Sequence, residues 1–453
     1  YQAAVYISQR YEEIGLSNIE IIEYEITACW FEEPGPDDPT SHMHSQLEQG
    51  ADNVGPIPDG AQGSGRVQLE GTGNLEHAES FVFLGFSGGI HKHDNEILFL
   101  NNGTVSDFSS YSDLSDTAVL INYDGTISLA EIYLNAIEKN SAAVVIYQEG
   151  VENPYFKTVV VEDVNGKLVP FPEAYPNLEL IPFVFTTSSS ASQMIDFINE
   201  ASSDSTKYAI LDGNWEYAQV GTRTTYIVTG ELVGKGEGTI MVGAHHDSTY
   251  LSPGAIDNAV GVAQLLDIAD NLKNEDLEKT IRFATWGGEE LGLLGSQKYI
   301  EQEFNSLSDL ELYINLDSTN LNPQTGTSTL GIETTSNINK EYLEIAKKQV
   351  LDSSWSDYNV NIVKNDGGGG SDHRSFNSAG FETVGAFGWA YPEYHTSLDT
   401  PAVVHKDGLS LTPELILHLI VLKASSEGGP LIQISGLEGE SKSWKFPFML
   451  TLI

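Results

Sequence analysis

Apolar positions along the chain recur with two periods, one typical of strands and one typical of helices. From about residue 222 onward, strand-like apolar runs alternate with amphipathic helical segments. This alternation favours a mixed, largely parallel sheet that helices cover on both faces, which is an α/β fold. The predicted strands are TTYIVTGELV, GTIMVGAH, TIRFATWG and LELYINLD, and the predicted helices are AVGVAQLLDIADNL, KEYLEIAKKQVL and TPELILHLIVLKASS.

A shorter version of the same pattern precedes this region. The runs SFVFLGF, TAVLINY, AAVVIYQ and IPFVFTT predict strands, and SLAEIYLNAIEKN and SASQMIDFINEA predict helices. Together they predict a second, smaller α/β module. The chain opens with a helical pattern, AAVYISQRYEEIGL, and an alternating one, NIEIIEYEI, which predict a peripheral helix and an edge strand. Residues 34–66 are rich in Pro, Gly, Asp and Ser and predict an irregular connection.

Charge and cysteine content narrow the classes of function. The 453 residues include 65 acidic and 22 basic ones, a formal net charge of −43 that repels nucleic acid and anionic lipid. The same charge attracts divalent metals and protonated amino termini, although solubility alone also explains it. One cysteine excludes an internal disulfide and a cysteine-based zinc site. Apolar runs stay below the roughly 18 residues of a membrane span. A start without methionine suggests a secreted or cell-surface protein whose signal peptide was removed.

The stretch VGAHHDSTY contains the first candidate for chemistry. Successive side chains of a strand point to opposite faces, so His245 and Asp247 share one face and His246 occupies the other. We therefore expect His245 to be a metal ligand. Asp247 would accept a hydrogen bond from its second ring nitrogen, and His246 would be structural.

Further candidates follow the other predicted strands. Glu289 and Glu290 come directly after one strand, Asp317 ends another, and His395 lies in a loop after a third. Open α/β sheets form their ligand crevice at this edge. Asp257 precedes a helix, where an ordinary helix cap is the alternative and the next residue is equally suited. Imidazoles and carboxylates suit zinc, a carboxylate can bridge two ions, and one adjacent glutamate is left to act as a base in hydrolysis.

Six motifs carry a resemblance to a known family. GAHHDS, PGAIDNAVGVA, WGGEELGLLGS, YINLDS, SDHRSF and YHTSLDT occur in the order seen in the M28 family of co-catalytic zinc aminopeptidases, over about residues 213–425. The resemblance implies the zinc-peptidase, phosphorylase-like fold and two zinc ions. It implies that His245 and Asp317 hold one ion, that Glu290 and His395 hold the other, and that Asp257 bridges them.

The resemblance also implies the reaction. Glu289 would be the general base, and Tyr394 would stabilise the oxyanion. The substrates would be peptides with a free amino terminus, from which the enzyme removes terminal residues. The composition agrees with an aminopeptidase, because beyond residue 230 the chain has only Arg282 and Arg374 to build a carboxylate-binding pocket.

Residues near the motifs have two readings each. Asp399 could orient His395 from outside the metal shell, or serve as an ordinary turn or cap residue. The segment NDGGGGSDH, residues 365–373, could be a mobile substrate loop or a plain flexible connection. Asp372 and His373 within it are expected to shape the pocket rather than to bind metal.

The smaller module resembles the protease-associated (PA) domain that such enzymes insert into the peptidase domain. The resulting expectation is a discontinuous peptidase domain over residues 1–70 and 213–430, a PA domain over 71–212, and a tail over 431–453 without an assigned role. Two other functions remain open at this point. One is a catalytically silent, receptor-like binding protein of the same fold, and the other is a glutaminyl cyclase-like acyltransferase that works with one metal.

Overall fold

The structure is a computed structural model of the chain. It describes residues 1–31, 44–46, 75–76, 80–89, 91–203, 210–214, 218–325, 328–351, 355–365, 369–388 and 391–424. These residues form two compact units. The first lies within Tyr1–Ile26, Val164–Lys167 and Arg223–Ile453, and the second within Thr27–Asp163 and Leu168–Thr222.

Strands and helices are numbered in chain order. The strands are β1 (Ser17–Phe31), β2 (His44–Gln46), β3 (Leu75–Glu76), β4 (Phe81–Phe83), β5 (His91–Phe99), β6 (Thr117–Asn122), β7 (Ala143–Tyr147), β8 (Val160–Glu162), β9 (Leu168–Pro170), β10 (Phe183–Thr186), β11 (Ile210–Asn214), β12 (Ala218–Leu232), β13 (Thr239–His245), β14 (Thr280–Trp286), β15 (Leu310–Asp317), β16 (Thr329–Thr334), β17 (Asn359–Lys364) and β18 (Thr383–Gly388). The helices are α1 (Gln2–Ile14), α2 (Val105–Phe108), α3 (Leu129–Glu138), α4 (Phe171–Ala174), α5 (Ser188–Ser203), α6 (Val260–Leu272), α7 (Leu294–Glu303), α8 (Asn337–Leu351), α9 (His373–Ser378) and α10 (Leu411–Ala424).

The larger sheet has eight strands in the order β1-β12-β14-β13-β15-β18-β16-β17. Strands β14, β13, β15 and β18 are parallel neighbours, while β12 runs antiparallel to β14 and β16 antiparallel to β18. The predicted mixed, largely parallel sheet is therefore confirmed. The strands predicted from the apolar runs correspond to β12, β13, β14 and β15, and β1 lies at the edge as expected.

Helices cover both faces of this sheet because its central strands are apolar on both sides. Along β13, Ile240, Val242 and Ala244 join a core formed with α1, α6, α8 and α10. Met241 points the other way and packs with Trp286 and residues of α7 and α9. Full burial of a side chain such as Val242 contributes about 1.5–3 kcal/mol, so this continuous apolar character strongly favours a buried central strand.

The parallel strands bring the predicted site residues to one edge. His245 is aligned with Trp286 at the carboxyl ends of β13 and β14, and Asp317 is aligned with Phe387 in β15 and β18. The chain leaves the sheet after each of these positions. This edge is consequently where the loops that carry the remaining candidates start.

The second unit contains another eight-stranded sheet, in the order β3-β2-β11-β5-β6-β7-β10-β4. Strands β5, β6, β7 and β10 are parallel neighbours. The predicted strands correspond to β4, β6, β7 and β10, and the predicted helices correspond to α3 and α5. Helix α3 begins where expected, because the Ser128 side chain caps it by accepting a hydrogen bond from the Glu131 backbone N–H at 3.1 Å.

Some elements were not predicted. Strands β5, β8, β9 and β11 in the second unit and β16 and β17 in the first were missing from the sequence interpretation. Within the predicted connection 34–66, the described residues 44–46 form β2, and the rest lies outside the described residues, as does the predicted tail 431–453. No helix in the described part of the chain is both long and apolar enough to cross a bilayer.

Candidate metal centre

His245 lies at the carboxyl end of β13 with only 1% of its surface exposed. Its Nε2 atom is 3.0 Å from Asp257 Oδ1 and 3.5 Å from Asp317 Oδ1. Its Nδ1 atom is 3.1 Å from the backbone carbonyl oxygen of Asp247, but 3.6 Å from the nearest oxygen of the Asp247 carboxylate. The carbonyl, not the predicted carboxylate, therefore accepts the hydrogen bond that fixes the imidazole.

The Asp247 carboxylate has a different contact. It accepts hydrogen bonds from the backbone N–H groups of Glu289 and Glu290, each at 3.3 Å. Asp247 thus holds the turn that follows β14, while its carbonyl orients His245. His246 points to the other side, where its Nδ1 atom lies 3.1 Å from the Thr285 hydroxyl.

Asp257 lies in the turn Ala255–Ala259 that precedes α6. The helix cap that we considered for it is provided by Asn258, whose Oδ1 accepts from the backbone N–H groups of Gly261 at 3.0 Å and Ser318 at 3.1 Å. A Cβ atom at Gly261 would come within 2.2 Å of that oxygen, so only glycine fits there. Since Asn258 makes the cap, the Asp257 carboxylate remains available to the site.

The Asp257 carboxylate divides its two oxygens between the two predicted histidine ligands. Oδ1 is 3.0 Å from His245 Nε2, and Oδ2 is 3.1 Å from His395 Nε2. His395 Nε2 also lies 3.0 Å from Glu290 Oε2. The two imidazoles therefore approach one buried carboxylate from two sides.

Glu289 occupies the side of His245. Its carboxylate can group with His245 and Asp317 so that one ligand atom from each lies within 4.8 Å of the others. Asp257 and Glu290 form a second such group with His245. The structure thus brings together five predicted ligands and the predicted base, and it puts the two adjacent glutamates nearest to different histidines.

The loop that carries His395 is held in an unusual conformation. The residue has a φ of 56°, and Ser318, directly after Asp317, has a φ of 52°. Left-handed backbone is uncommon for such residues and is often found at functional sites. The Ser318 hydroxyl donates to Asp317 Oδ1 at 3.0 Å and so helps to orient that carboxylate.

Asp399 contacts the backbone of the turn that carries Asp257. Its carboxylate accepts hydrogen bonds from the backbone N–H groups of Ile256 at 2.8 Å and Asp257 at 3.0 Å, and from the Tyr391 hydroxyl at 3.3 Å. Asp399 therefore holds the turn that presents Asp257. Tyr391 was missed by the sequence interpretation, because its role depends on a contact between two loops.

The remaining predicted residues lie around this centre. The Tyr394 ring stacks on the His395 imidazole with centroids 3.7 Å apart, and 41% of Tyr394 is exposed. Asp372 is fully buried, and His373 Nε2 lies 2.8 Å from Glu333 Oε1. Of these three residues, Tyr394 is exposed to solvent, whereas Asp372 and His373 are buried.

Crowded buried charges shift the pKa values of the whole cluster. Burial raises the pKa of Glu289 well above its usual range and that of Glu290 to about 7, although the nearby histidines oppose both shifts. Burial alone would lower the pKa of His395, but Glu290 and Asp257 raise it to about 10. Burial would raise the pKa of Asp257, yet the neighbouring imidazoles of His245 and His395 lower it. Such mutual dependence indicates a centre that is short of positive charge.

The donor set fits metal ions. His245 Nε2 and Asp257 Oδ1 are buried and, among the described residues, have no hydrogen-bond partner. Tetrahedral zinc with ligands at about 2.0–2.2 Å separates neighbouring ligand atoms by about 3.3 Å. The distances of 3.0–3.5 Å between the imidazole nitrogens and the carboxylate oxygens are close to that value. Imidazole and carboxylate are also ligands that zinc accepts.

Together, the mixed sheet and the acidic, histidine-containing edge define an α/β protein with a candidate metal-binding site. Residues 228–420 match the sequence model of peptidase family M28, so the chain contains a peptidase family M28 domain. The resemblance that the motifs indicated is thereby confirmed.

Two curated relatives are described as aminopeptidases. Over 247 residues the chain is 28% identical to the probable lipoprotein aminopeptidase LpqL of Mycobacterium tuberculosis, covering 45% of this chain and 46% of that protein. Over 202 residues it is 33% identical to the aminopeptidase YwaD of Bacillus subtilis, covering 42% of each. The chain spans less than half the length of these curated relatives.

Solved structures extend the likeness of fold to nearly the whole chain. An aminopeptidase from Aneurinibacillus sp. strain AM-1 superposes with a TM-score of 0.66 at 21% identity, covering 95% of this chain and 89% of that one. BSAP, described as a zinc aminopeptidase from Bacillus subtilis, gives 0.63 at 19% identity, with 95% and 90% covered. At these identities the comparison establishes the fold.

Proposed function

We propose that the protein is an aminopeptidase that uses two zinc ions to remove residues from the amino terminus of peptides. The observation that supports two ions rather than one is the Asp257 carboxylate, which directs one oxygen to each of two histidines at 3.0 and 3.1 Å. A single-metal acyltransferase would not need a carboxylate shared in this way. The names of LpqL and YwaD support the aminopeptidase activity.

In this proposal the ligands divide into two sets that share one residue. His245 and Asp317 would hold one zinc ion, Glu290 and His395 would hold the other, and Asp257 would serve both. When bound, the two ions supply Lewis acidity to the scissile carbonyl group and lower the pKa of the attacking water. The protein fixes the ligand geometry through the Asp247 and Asp399 hydrogen bonds described above.

Glu289 is the proposed general base. It directly precedes Glu290, but its carboxylate lies on the side of His245 and Asp317, so it need not compete for the ion near His395. It would take a proton from the attacking water and deliver it to the nitrogen of the leaving amine. Burial raises the pKa of Glu289, which favours a base able to return its proton.

Tyr394 and the acidic surroundings would complete substrate recognition. The Tyr394 hydroxyl is proposed to donate a hydrogen bond to the oxygen of the scissile carbonyl as negative charge develops there. Its stacking on His395 restricts the ring. The carboxylates of Glu289 and Asp317 would attract the protonated amino terminus of the peptide, which a net charge of −43 also draws toward the protein.

The substitution Glu289→Gln tests the base directly. We expect it to retain two zinc ions while kcat for an amino-acid anilide falls about a hundredfold or more, because the amide cannot take the proton. Glu290→Gln is the matched control next to it, and we expect it to lose zinc. Turnover of Glu289→Gln close to that of the unchanged protein would contradict the assignment, as would loss of zinc from it.

Two further parts of the proposal concern the second unit and the location. We propose that the second unit is an inserted PA domain that contributes to the choice of substrate. A folded variant lacking residues 71–212 with an unchanged substrate range would contradict that role. The description of LpqL as a lipoprotein supports a secreted or cell-surface location, which fractionation of the producing cells would test.

A further inference from the structure

The glycine-rich segment NDGGGGSDH has a fixed attachment at each of its described ends. Asn365 follows β17 directly, and His373 is the first residue of α9. Both residues contact one side chain, that of Glu333 in β16. The two readings from the sequence, a mobile substrate loop and a plain flexible connection, did not include such an attachment.

Glu333 uses its two carboxylate oxygens separately. Oε1 lies 2.8 Å from His373 Nε2, and Oε2 accepts a hydrogen bond from the Asn365 side-chain amide. The pair of Glu333 and His373 is largely removed from water, with side chains 16% and 2% exposed. Burial would raise the pKa of Glu333, but the hydrogen bonds from His373 and Asn365 lower it, so the carboxylate stays ionised.

The surrounding backbone is shaped to admit this pair. A Cβ atom at Gly369 would lie 2.0 Å from Glu333 Oε1 and 2.1 Å from His373 Nε2. One at Gly385 would lie 2.9 Å from His373 Nε2. Gly369 and Gly385 are therefore required for the close approach of the Glu333 and His373 side chains.

The residue before His373 is Asp372, which is 0% exposed. Neither of its carboxylate oxygens has a hydrogen-bond partner among the described residues. The nearby Ser296 hydroxyl is instead directed to the Leu293 carbonyl and the Ser375 hydroxyl, at 3.2 and 2.9 Å. A buried carboxyl group without partners is costly, so its retention calls for a role.

Asp372 is linked to the candidate metal centre by charge and by its sequence neighbour Ser371. The charges on His245, Asp247 and Asp317 influence its pKa, which burial raises to about 7, and its own charge helps to raise the pKa of Glu289. The preceding residue, Ser371, is also fixed, because its hydroxyl accepts from the Asn315 side chain at 2.9 Å. Asp372 is thus held on both sides, by Ser371 toward β15 and by His373 toward Glu333.

We propose that Glu333 is a positioning residue for the metal centre. It fastens both ends of the glycine-rich segment and, through His373, holds the buried Asp372 next to Ser371, whose hydrogen bond with Asn315 links the segment to β15 two residues before Asp317. The effect on catalysis rests on the proposed aminopeptidase function, whereas the fastening itself does not. The role is confined to holding this segment, because the Glu333 carboxylate contacts His373 and Asn365.

Hydrogen exchange on the metal-free protein tests the fastening without using activity. In Glu333→Ala we expect amide exchange over residues 369–378 to be about tenfold faster or more, because two side-chain anchors are lost. Glu333→Gln should restore most of the protection, since its amide can still accept from Asn365 and donate to His373. Glu382→Ala is the matched control, because Glu382 also joins two elements, through Asn339 at 2.9 Å and Lys423 at 3.7 Å. It should leave exchange over 369–378 unchanged.

Kinetics on the zinc-loaded variants test the consequence. For Glu333→Ala we expect kcat to fall about tenfold with zinc content retained and KM changed by less than about twofold, because Asp372 is fully buried. Glu333→Gln should recover most of this loss. Unchanged exchange in Glu333→Ala would overturn the fastening, and unchanged kcat despite faster exchange would overturn the link to the centre. Absence of aminopeptidase activity in the unchanged protein would instead reject the proposed function and leave the exchange result interpretable.

Discussion

The two units each contain four adjacent parallel strands. Within the described ranges, only the first unit gathers titratable side chains at the carboxyl ends of those strands. In the second unit, polar residues after β5, β6 and β7 bond to one another locally. Asn102 donates to Asp124, Asp124 also accepts from the Thr126 backbone N–H at 2.9 Å, and Ser188 accepts from the Gly150 N–H at 3.1 Å. No group of metal-ligating side chains forms there among the described residues.

In the first unit the corresponding polar groups are buried and converge. His245, Asp257, Glu290 and His395 are each at most 8% exposed, and their side chains face one another. Their supporting hydrogen bonds come from residues just outside, chiefly Asp247 and Asp399. The comparison teaches that the sheet edge alone does not make a site. A site requires that the edge residues be buried, directed toward one another and supported by hydrogen bonds from residues just outside the cluster.

The largest effect should come from removing the shared carboxylate. Asp257→Ala takes one oxygen from each proposed ion, so we expect zinc to be lost and kcat/KM to fall about a thousandfold, or about 4 kcal/mol in transition-state stabilisation. Zinc content by mass spectrometry and anilide hydrolysis measure this. A variant that retains two zinc ions and full activity would show that the shared carboxylate is not needed, and it would contradict the contrast between the two units.

A smaller loss should follow from removing the support behind that carboxylate. Asp399→Ala leaves the backbone N–H groups of Ile256 and Asp257 without their acceptor, and we expect zinc affinity to fall about 10- to 100-fold. Competition with a fluorescent chelator measures the affinity. An unchanged zinc affinity would show that Asp257 is placed without Asp399.

The pH dependence of the free energy of unfolding should distinguish the structural His246 from the adjacent His245. Burial lowers the pKa of His246 to about 4, whereas an unfolded histidine titrates near 6.5. The stability from keeping it neutral is therefore complete above about pH 6.5 and is lost as pH falls toward about 4. The free energy of unfolding should decrease between pH 7 and pH 4.5 in both proteins. We expect the decrease to be about 2 kcal/mol smaller in His246→Gln than in the unchanged protein. Urea denaturation of the metal-free proteins measures this, and identical pH profiles would contradict it.

The smallest effect should come from the edge of the second unit. Asp124→Asn changes a locally satisfied carboxylate, so we expect kcat/KM to stay within about twofold and Tm within about 2 °C. Differential scanning fluorimetry and the same hydrolysis assay measure both. A large loss of activity would show that the second unit contributes to the chemistry. That result would contradict the assignment of the chemistry to the first unit alone.

Periodicity predicted the sheet edge but not the contacts behind it. Alternation along β13 separated His245 from His246 because that strand is regular and buried throughout. The choice between Asp257 and Asn258 as helix cap was open, since it depends on Leu316 and Ser318 from another strand.

Contacts between distant loops were beyond the sequence pattern. Asp399 meets the backbone of Asp257, 142 residues away in the chain, and Glu333 meets His373, 40 residues away. Neither partner is implied by a local period or motif. Strands β16 and β17 were missed for a related reason: their segments are short and mix apolar residues with Gly, Thr, Asn and Glu, so pairing with β18 and with each other determines them.

Zinc titration of the metal-free protein tests the central claim most directly. Isothermal titration should give two zinc ions per chain in the unchanged protein. In His245→Ala and in His395→Ala, we expect the affinity of one zinc-binding event to fall and the other event to remain. The event that is weakened should differ between the two variants. A single ion per chain, or two ions that persist with unchanged affinity in both variants, would contradict the account.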